Sequence, residues 1–182
     1  TTLLLLDASQ PVVLQGAGRL PVKYGVTTQE LFLALGLNLG GLTIQKVQEG
    51  FLKYGFAFIY QPDHFPLAES LINYRKDIGK RPPIASMELI WSAHQGEHLL
   101  VSGFVHPPTE ERAWQALELL GEQDFISVKG LEGGTDLSIS RACITARVRK
   151  QQSKRLIIHP RDYKCSGQDP AWQSLDSLLK ML

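Results

Sequence analysis

The sequence predicts an α/β domain with a mainly parallel sheet and a late antiparallel portion. Short apolar runs such as PVVL, FAFIY and LLVSGFV alternate with stretches of helical periodicity. From residue 137 to residue 159 two β-rich stretches follow each other without a helix between them. The 182 residues are 43% hydrophobic and 20% charged, ordinary proportions for one globular domain. A chain of this size buries roughly 70% of its unfolded surface, enough for one sizeable core.

Leu3–Leu6 read as the end of a helix packed on a core, followed by a strand at Pro11–Leu14 and a glycine-punctuated loop at Gly16–Gly25. Thr27-Thr28-Gln29-Glu30 fits a capping box, in which the Thr27 hydroxyl accepts from the Glu30 amide and the Glu30 carboxylate returns to Thr27. The helix it opens runs to Gly36. A second helix, Thr43–Lys53, ends at Gly55, so residues 27–54 read as a helical hairpin. Phe56–Tyr60 is a buried strand. Ala68–Asp77 is helical and stops at Gly79. Leu99–Val105 is the next strand, and Thr109–Leu120 a helix with Ala113, Leu117 and Leu120 on one face. DFISVKG leads as a strand into the loop Gly130–Gly134. Leu137–Val148 and Lys154–His159 are the late β stretches, and Ala171–Leu182 closes as an amphipathic helix. With no repeat and no low-complexity linker, residues 1–182 read as a single domain.

The net charge of +1 gives the whole molecule no strong pull on nucleic acid or membrane, so any such pull is local. No stretch approaches the ~18 consecutive apolar residues of a membrane span. Two cysteines without metal-type spacing, Cys143 and Cys165, read as free buried thiols rather than a bridge, in a reducing, cytoplasmic setting. The chain lacks an initiator methionine, and Thr1 reads as a cut or processed end.

Ligands of open α/β sheets collect beyond the carboxyl ends of the strands, so the loops after the apolar runs are the places for chemistry. In the first, Gly16 and Gly18 free backbone amides beside Arg19 and Lys23, a combination suited to a phosphate or pyrophosphate. The same loop also reads as a plain connector with solvated charges. After FAFIY come His64, Arg75 and Arg81. An arginine fork matches a carboxylate, though on the residues alone a helix C-terminal pair complementing the dipole is the simpler reading. KGLEGGTDLS groups Lys129, Glu132 and Asp136 around glycines. Two carboxylates beside a glycine turn suit magnesium, and equally suit a tight turn with surface acids. His94-Gln95-Gly96-Glu97-His98 matches a metalloprotease string. That chemistry needs a stable helix, and here a glycine lies inside and a strand begins at His98. Finally, Arg141, Arg147, Arg149, Lys150, Lys154, Arg155 and Arg161 fall in a stretch with no acidic residue. A basic hairpin of this kind either tracks a nucleic-acid backbone or is simply solvated, the latter being the commoner outcome.

The ordered series QGAGRLPVKYGV, GFAFIYQPDHFP, YRKDIGKR, GFVHPPTEE, VKGLEGGTDLSIS and RLIIHPRDY resembles the anthranilate phosphoribosyltransferase family (glycosyltransferase family 3), and in particular its divergent relatives. The resemblance runs from about residue 3 to residue 164. It implies a nucleoside phosphorylase/phosphoribosyltransferase-like catalytic domain. The family's helical N-terminal domain and first strand with its glycine loop would then lie upstream of Thr1, as the missing part of a parent for which the resemblance implies a homodimer. It also implies phosphoribosyl pyrophosphate and an aromatic or nitrogenous acceptor as substrates, Mg2+ as cofactor and, if the domain is active, pentosyl transfer related to tryptophan biosynthesis.

Residue by residue, the family's histidine-glycine-asparagine-arginine turn corresponds to Gln15-Gly16-Ala17-Gly18, with Arg19 one place late, and its lysine to Lys23. Its carboxylate-binding arginine falls on Arg75 and the second arginine on Arg81. Of two residues that are often both histidine, His64 remains beside Phe65. The family's asparagine reads as Ala85, and its aspartate–glutamate magnesium pair as Thr135-Asp136. The last two departures put the anthranilate reaction in doubt. They leave open a non-catalytic relative that binds nucleic acid through residues 141–161.

Overall fold

In the computed structural model, residues 1–19, 25–79, 83–150, 152–169 and 175–179 are described, without the side chains of residues 84, 132, 177 and 178. They form two compact units, one of residues 1–82 and 172–182, the other of residues 83–171.

The first unit opens with α1 (Thr2–Asp7) and β1 (Val12–Gly16). The helix forms as expected, but its packing does not: Leu3 and Leu4 are 70% and 75% exposed. The Thr27 capping box starts α2 (Thr28–Ala34), with both reciprocal bonds in place. Thr43 caps α3 (Ile44–Tyr54), which Gly55 ends in a left-handed conformation at φ 68°, a geometry that favours glycine. The carbonyl of Gly55 then accepts from the Val12 amide at 2.7 Å, tying the helix end to the first strand. β2 (Phe56–Tyr60) runs parallel to β1, with Val12 opposite Phe56 and Gly16 opposite Tyr60. Phe58 is 2% exposed, and the Phe32 ring of α2 meets both Phe56 and Phe58, with centroids 5.4 and 6.1 Å away.

Three short helices follow: α4 (Gln61–His64), α5 (Pro66–Glu69) and α6 (Ile72–Ile78). The expected single helix over Ala68–Asp77 is therefore broken. The interruption falls at Ser70–Leu71, where the Ser70 hydroxyl donates to the Leu67 carbonyl at 2.7 Å, a local bond that competes with helix continuation. Of the expected closing helix, the described part is α9 (Leu175–Leu179), numbered last in chain order.

The second unit contains α7 (Ile84–Met87), β3 (Leu100–Gly103), α8 (Pro107–Leu119), β4 (Asp124–Val128), β5 (Cys143–Arg149) and β6 (Gln152–Ile158). Its four strands lie in the order β3-β4-β5-β6, the first pair parallel and the others antiparallel. The late antiparallel portion is thus present. It starts at Cys143 rather than residue 137, because residues 138–140 form a turn bound to Asp169 instead of a strand. Ile90, Leu117, Phe125 and Val148 form the core, with Trp114 and Ala113 packed against it.

The buried face of α8 differs from the expected one. Leu120 is 69% exposed, whereas Glu110, at helical spacing from Ala113, Trp114 and Leu117, is 1% exposed. Ser127, Ala146 and Arg155 lie on one rung across β4, β5 and β6. Glu110 reaches both ends of that rung. Its carboxylate accepts from Ser127 Oγ at 2.5 Å and from Arg155 Nη2 at 2.9 Å, over the fully buried Ala146. The Arg155 guanidinium also lies over the Trp114 ring at 5.5 Å. A buried carboxylate is tolerated only when paired in this way. Glu110→Ala leaves Ser127 without its acceptor and Arg155 without its anion, so it should destabilise the protein by about 2–3 kcal/mol. Urea unfolding checks this, and an unchanged midpoint would mean that the cluster contributes nothing.

Candidate functional site

In the first unit, the carboxyl ends of β1 and β2 bring Gly16 level with Tyr60, and the chain leaves both strands toward polar residues. A Cβ on Gly18 would come within 3.4 Å of the Tyr60 hydroxyl, so the glycine loop runs close over the tyrosine. Burial pushes the Tyr60 phenol above its usual range, helped by Glu69 and Asp63. Asp63 is itself anchored, accepting from the Gly41 amide at 2.6 Å. His64 ends α4 half-buried, and its Nε2 is enclosed without a hydrogen-bond partner among the described residues.

Arg19 donates from Nε to Glu30 at 2.7 Å, so the cation expected for phosphate is engaged with the capping-box carboxylate. Bonds from Thr27 chiefly hold the Glu30 carboxyl below its usual range, with Arg19 adding to them. A phosphate would have to compete with Glu30 for this arginine. Arg75, in α6, is only 2% exposed. Its guanidinium lies within the unit rather than on an open loop rim. Lys23 and Arg81 lie outside the described residues.

In the second unit the loops after β3 and β4 meet backbone to backbone. A Cβ on Gly103 would overlap the carbonyl oxygen of Gly133 and lie 2.5 Å from that of Gly134. A Cβ on Gly130 would overlap the Gly134 oxygen and come within 2.7 Å of that of Asp136. Glycine is required at both positions because the approach leaves no room for a side chain. The Phe104 amide donates to Val128 at 2.9 Å and the Leu131 amide to Asp136 at 2.8 Å, which closes the junction. Lys129 and Asp136 are exposed there, and the Glu132 side chain is outside the described atoms. Among the described residues no group of three His, Cys, Asp or Glu side chains could hold a metal. One exposed carboxylate suits only a cation that keeps most of its water and draws other oxygens from a phosphorylated ligand, which is the habit of Mg2+.

Just beyond, Asp169 is bound to the turn Ser138–Ser140. Its Oδ1 accepts from the amides of Ile139 and Ser140, at 2.7 and 3.3 Å, and its Oδ2 from the hydroxyls of Ser138 and Ser140, at 2.7 and 2.6 Å. These bonds, the Ser140 and Ser138 hydroxyls foremost, hold the Asp169 carboxyl at about 2.

The segment around His94 forms no helix. His94 and His98 instead meet edge to face at 5.6 Å, His98 Nδ1 lies 2.7 Å from the Gly96 carbonyl, and His98 Nε2 lies 3.2 Å from Glu122. The metalloprotease geometry is absent.

Three of the seven cations in the basic stretch are already paired. Arg147 makes a two-pronged bond to Asp124, at 2.9 and 2.7 Å, Arg149 lies 3.6 Å from the same carboxylate, and Arg155 serves Glu110. Arg147 is the main cause that holds the Asp124 carboxyl below its usual range. Arg141, Lys150 and Lys154 are exposed. Sequence reasoning missed Asp124, Glu110 and Asp169. Glu110 was legible as an acid at helical spacing from Ala113 and Leu117; Asp124 and Asp169 meet partners too remote in sequence to read. Cys143 and Cys165 are free, as expected, and Cys143 is buried, but Cys165 is exposed. Among the described residues no helix is long and apolar enough to cross a membrane.

Comparison with known proteins places this geometry. No family model matches the chain. An anthranilate phosphoribosyltransferase of Verminephrobacter eiseniae is 26% identical over 156 residues, 82% of this chain and 45% of its own length. An uncharacterized protein of Aquifex aeolicus is 30% identical over 116 residues, 64% of this chain and 32% of its own length. The crystal structure of anthranilate phosphoribosyltransferase from Thermus thermophilus superposes on 97% of the chain with a TM-score of 0.69 at 19% identity, covering 49% of that protein. The Saccharomyces cerevisiae enzyme in complex with 4-fluoroanthranilate gives a TM-score of 0.56 at 14% identity, over 91% of this chain and 51% of that protein.

The fold is that of a phosphoribosyltransferase-like α/β protein. More particularly, the chain is similar in sequence to anthranilate phosphoribosyltransferases, at about a quarter identity. It spans about half or less of the length of the relatives it matches.

The Asp169 contacts carry a pH dependence. A carboxyl at about 2 when folded and ~3.9 when unfolded adds stability that is complete above pH ~4 and is lost as pH falls through about 2. Asp169→Asn should flatten acid unfolding between pH ~4 and ~2. Superimposable stability–pH curves for the two proteins would contradict the assignment.

Proposed function

We propose that the chain contributes to a phosphoribosyltransferase, binding a phosphorylated ribose with Mg2+ and presenting it to an aromatic or nitrogenous acceptor. The observation that supports this most is the pairing of family likeness with two parallel strand pairs, each ending in a glycine-bearing loop. Ligands of open α/β sheets bind at such ends.

In this reading Gly16, Arg19 and Lys23 serve phosphate oxygens, with Arg19 exchanging Glu30 for the ligand. His64, Arg75 and Arg81 serve the acceptor. Asp136 and Glu132 would hold Mg2+, which supplies charge neutralisation at a leaving pyrophosphate. The residues themselves bind and orient: a dissociative transfer gains most from positioning and from charge placed where the leaving group develops it. Because Arg75 is 2% exposed, it reaches an acceptor carboxylate only when the helical segment around it opens. The pairing of Arg147, Arg149 and Arg155 with carboxylates weighs against a nucleic-acid role for the hairpin.

Calorimetry with phosphoribosyl pyrophosphate, Mg2+ and anthranilate, on this chain and on longer forms of the protein, tests the proposal. Arg75→Ala should weaken an acidic aromatic acceptor by about tenfold or more, the loss of one charge-assisted bond, and leave the sugar phosphate unaffected. Circular dichroism of the variant would verify its fold. No binding of phosphoribosyl pyrophosphate by any form would overturn the transferase reading, and unchanged acceptor affinity would remove Arg75 from it.

A further inference from the structure

The turn Ser138–Ser140 has the donor set of an oxyanion cradle. Two successive amides and two hydroxyls, all from three residues, converge on one carboxylate at 2.6 to 3.3 Å. Successive amides aimed at one point, supplemented by hydroxyls, are how loops bind phosphate. The cradle is braced from within. Ser138 Oγ lies 3.0 Å from Ser140 Oγ and accepts from the Ser140 amide at 3.2 Å, and Ser138 is only 2% exposed.

The anion, by contrast, arrives from elsewhere. Asp169 is about thirty residues away in sequence. Beside it, the Gly167 amide donates to the Ile139 carbonyl at 3.0 Å, so the strap is clipped to the same turn at two points. Residues 161–168 are exposed throughout, so no buried side chain of theirs opposes lifting the strap.

We propose that Ser138–Ser140 is a binding site for a phosphate dianion, free or as a monoester, and that Asp169 is an internal stand-in that keeps it closed. A phosphate presents three oxygens where the carboxylate presents two, and its second charge compensates for the tethered carboxylate's higher effective concentration. Binding is a ligand exchange, with no bond made or broken: the phosphate takes the four donors and Asp169 moves into water. Because the carboxylate competes intramolecularly, the intact chain binds weakly, and removal of the competitor reveals the site.

The test follows the Ile139 and Ser140 amides by nitrogen-15 NMR during titration with inorganic phosphate, and separately with ribose 5-phosphate. Asp169→Ala should give saturable shifts at both amides, with apparent affinity about tenfold or more above that of the unaltered chain. Adding Ser138→Ala to that variant should weaken binding again. Tighter binding of ribose 5-phosphate would identify a monoester as the ligand, and equal affinities the free anion. A dispersed spectrum of Asp169→Ala with no saturable shift at either amide would overturn the proposal. If Asp169→Ala does not fold, Asp169→Asn decides. It keeps a carbonyl acceptor without the charge and should bind phosphate more tightly than the unaltered chain, and unchanged affinity would overturn the proposal equally.

Discussion

The second unit depends on a backbone-to-backbone contact. Gly103 at the end of β3 lies against the carbonyls of Gly133 and Gly134, and Gly130 lies against those of Gly134 and Asp136. No side chain intervenes, so the loop after β4 is folded back on the strand ends with little freedom to shift. Lys129 and Asp136 take their places at the carboxyl edge of the parallel pair from this contact. So does the turn at Ser138, which begins two residues after Asp136. A side chain at either glycine would require backbone movement, which packed interiors resist. The loop is thus built on rigid strand ends, the arrangement that precise binding requires.

Below that junction the sheet is tied to α8 by charge as well as by apolar contact. Glu110 spans the rung from Ser127 to Arg155, and Ala146 between them is small enough to let it sit there. A larger residue at that rung position would meet the helix. Asp124 repeats the pattern at the other end of β4 by collecting Arg147 and Arg149. Three arginines of the basic stretch are therefore counterweights to two carboxylates, which a linear reading of charge does not reveal. Asp124 precedes its arginines by more than twenty residues and meets them only once strand register is fixed.

Much of the architecture was nonetheless legible in the residues. The Thr27 box, the Gly55 cap and the FAFIY strand follow from local chemistry, and all three formed where that chemistry placed them. The ordered motifs also pointed to relatives that sequence comparison finds at about a quarter identity. What failed was non-local. Leu120 fits the helix period but falls at the exposed C-cap, while the polar Glu110 fits the same period and is buried. The break at Ser70 came from one hydroxyl bond to Leu67, too local for periodicity to register. For the site, sequence supplied the residue types and the loops. The engagement of Arg19 by Glu30 and the burial of Arg75 needed coordinates.

Ligand chemistry in this reading belongs to the strand-end loops, and the hairpin is structural. Hydrogen–deuterium exchange with and without phosphoribosyl pyrophosphate and Mg2+ tests that division most directly. The expected result is slowed exchange in the loops at residues 15–19 and 129–136, with unchanged exchange in the hairpin at residues 143–158. Protection confined to the hairpin, with the glycine loops unaffected, would contradict it.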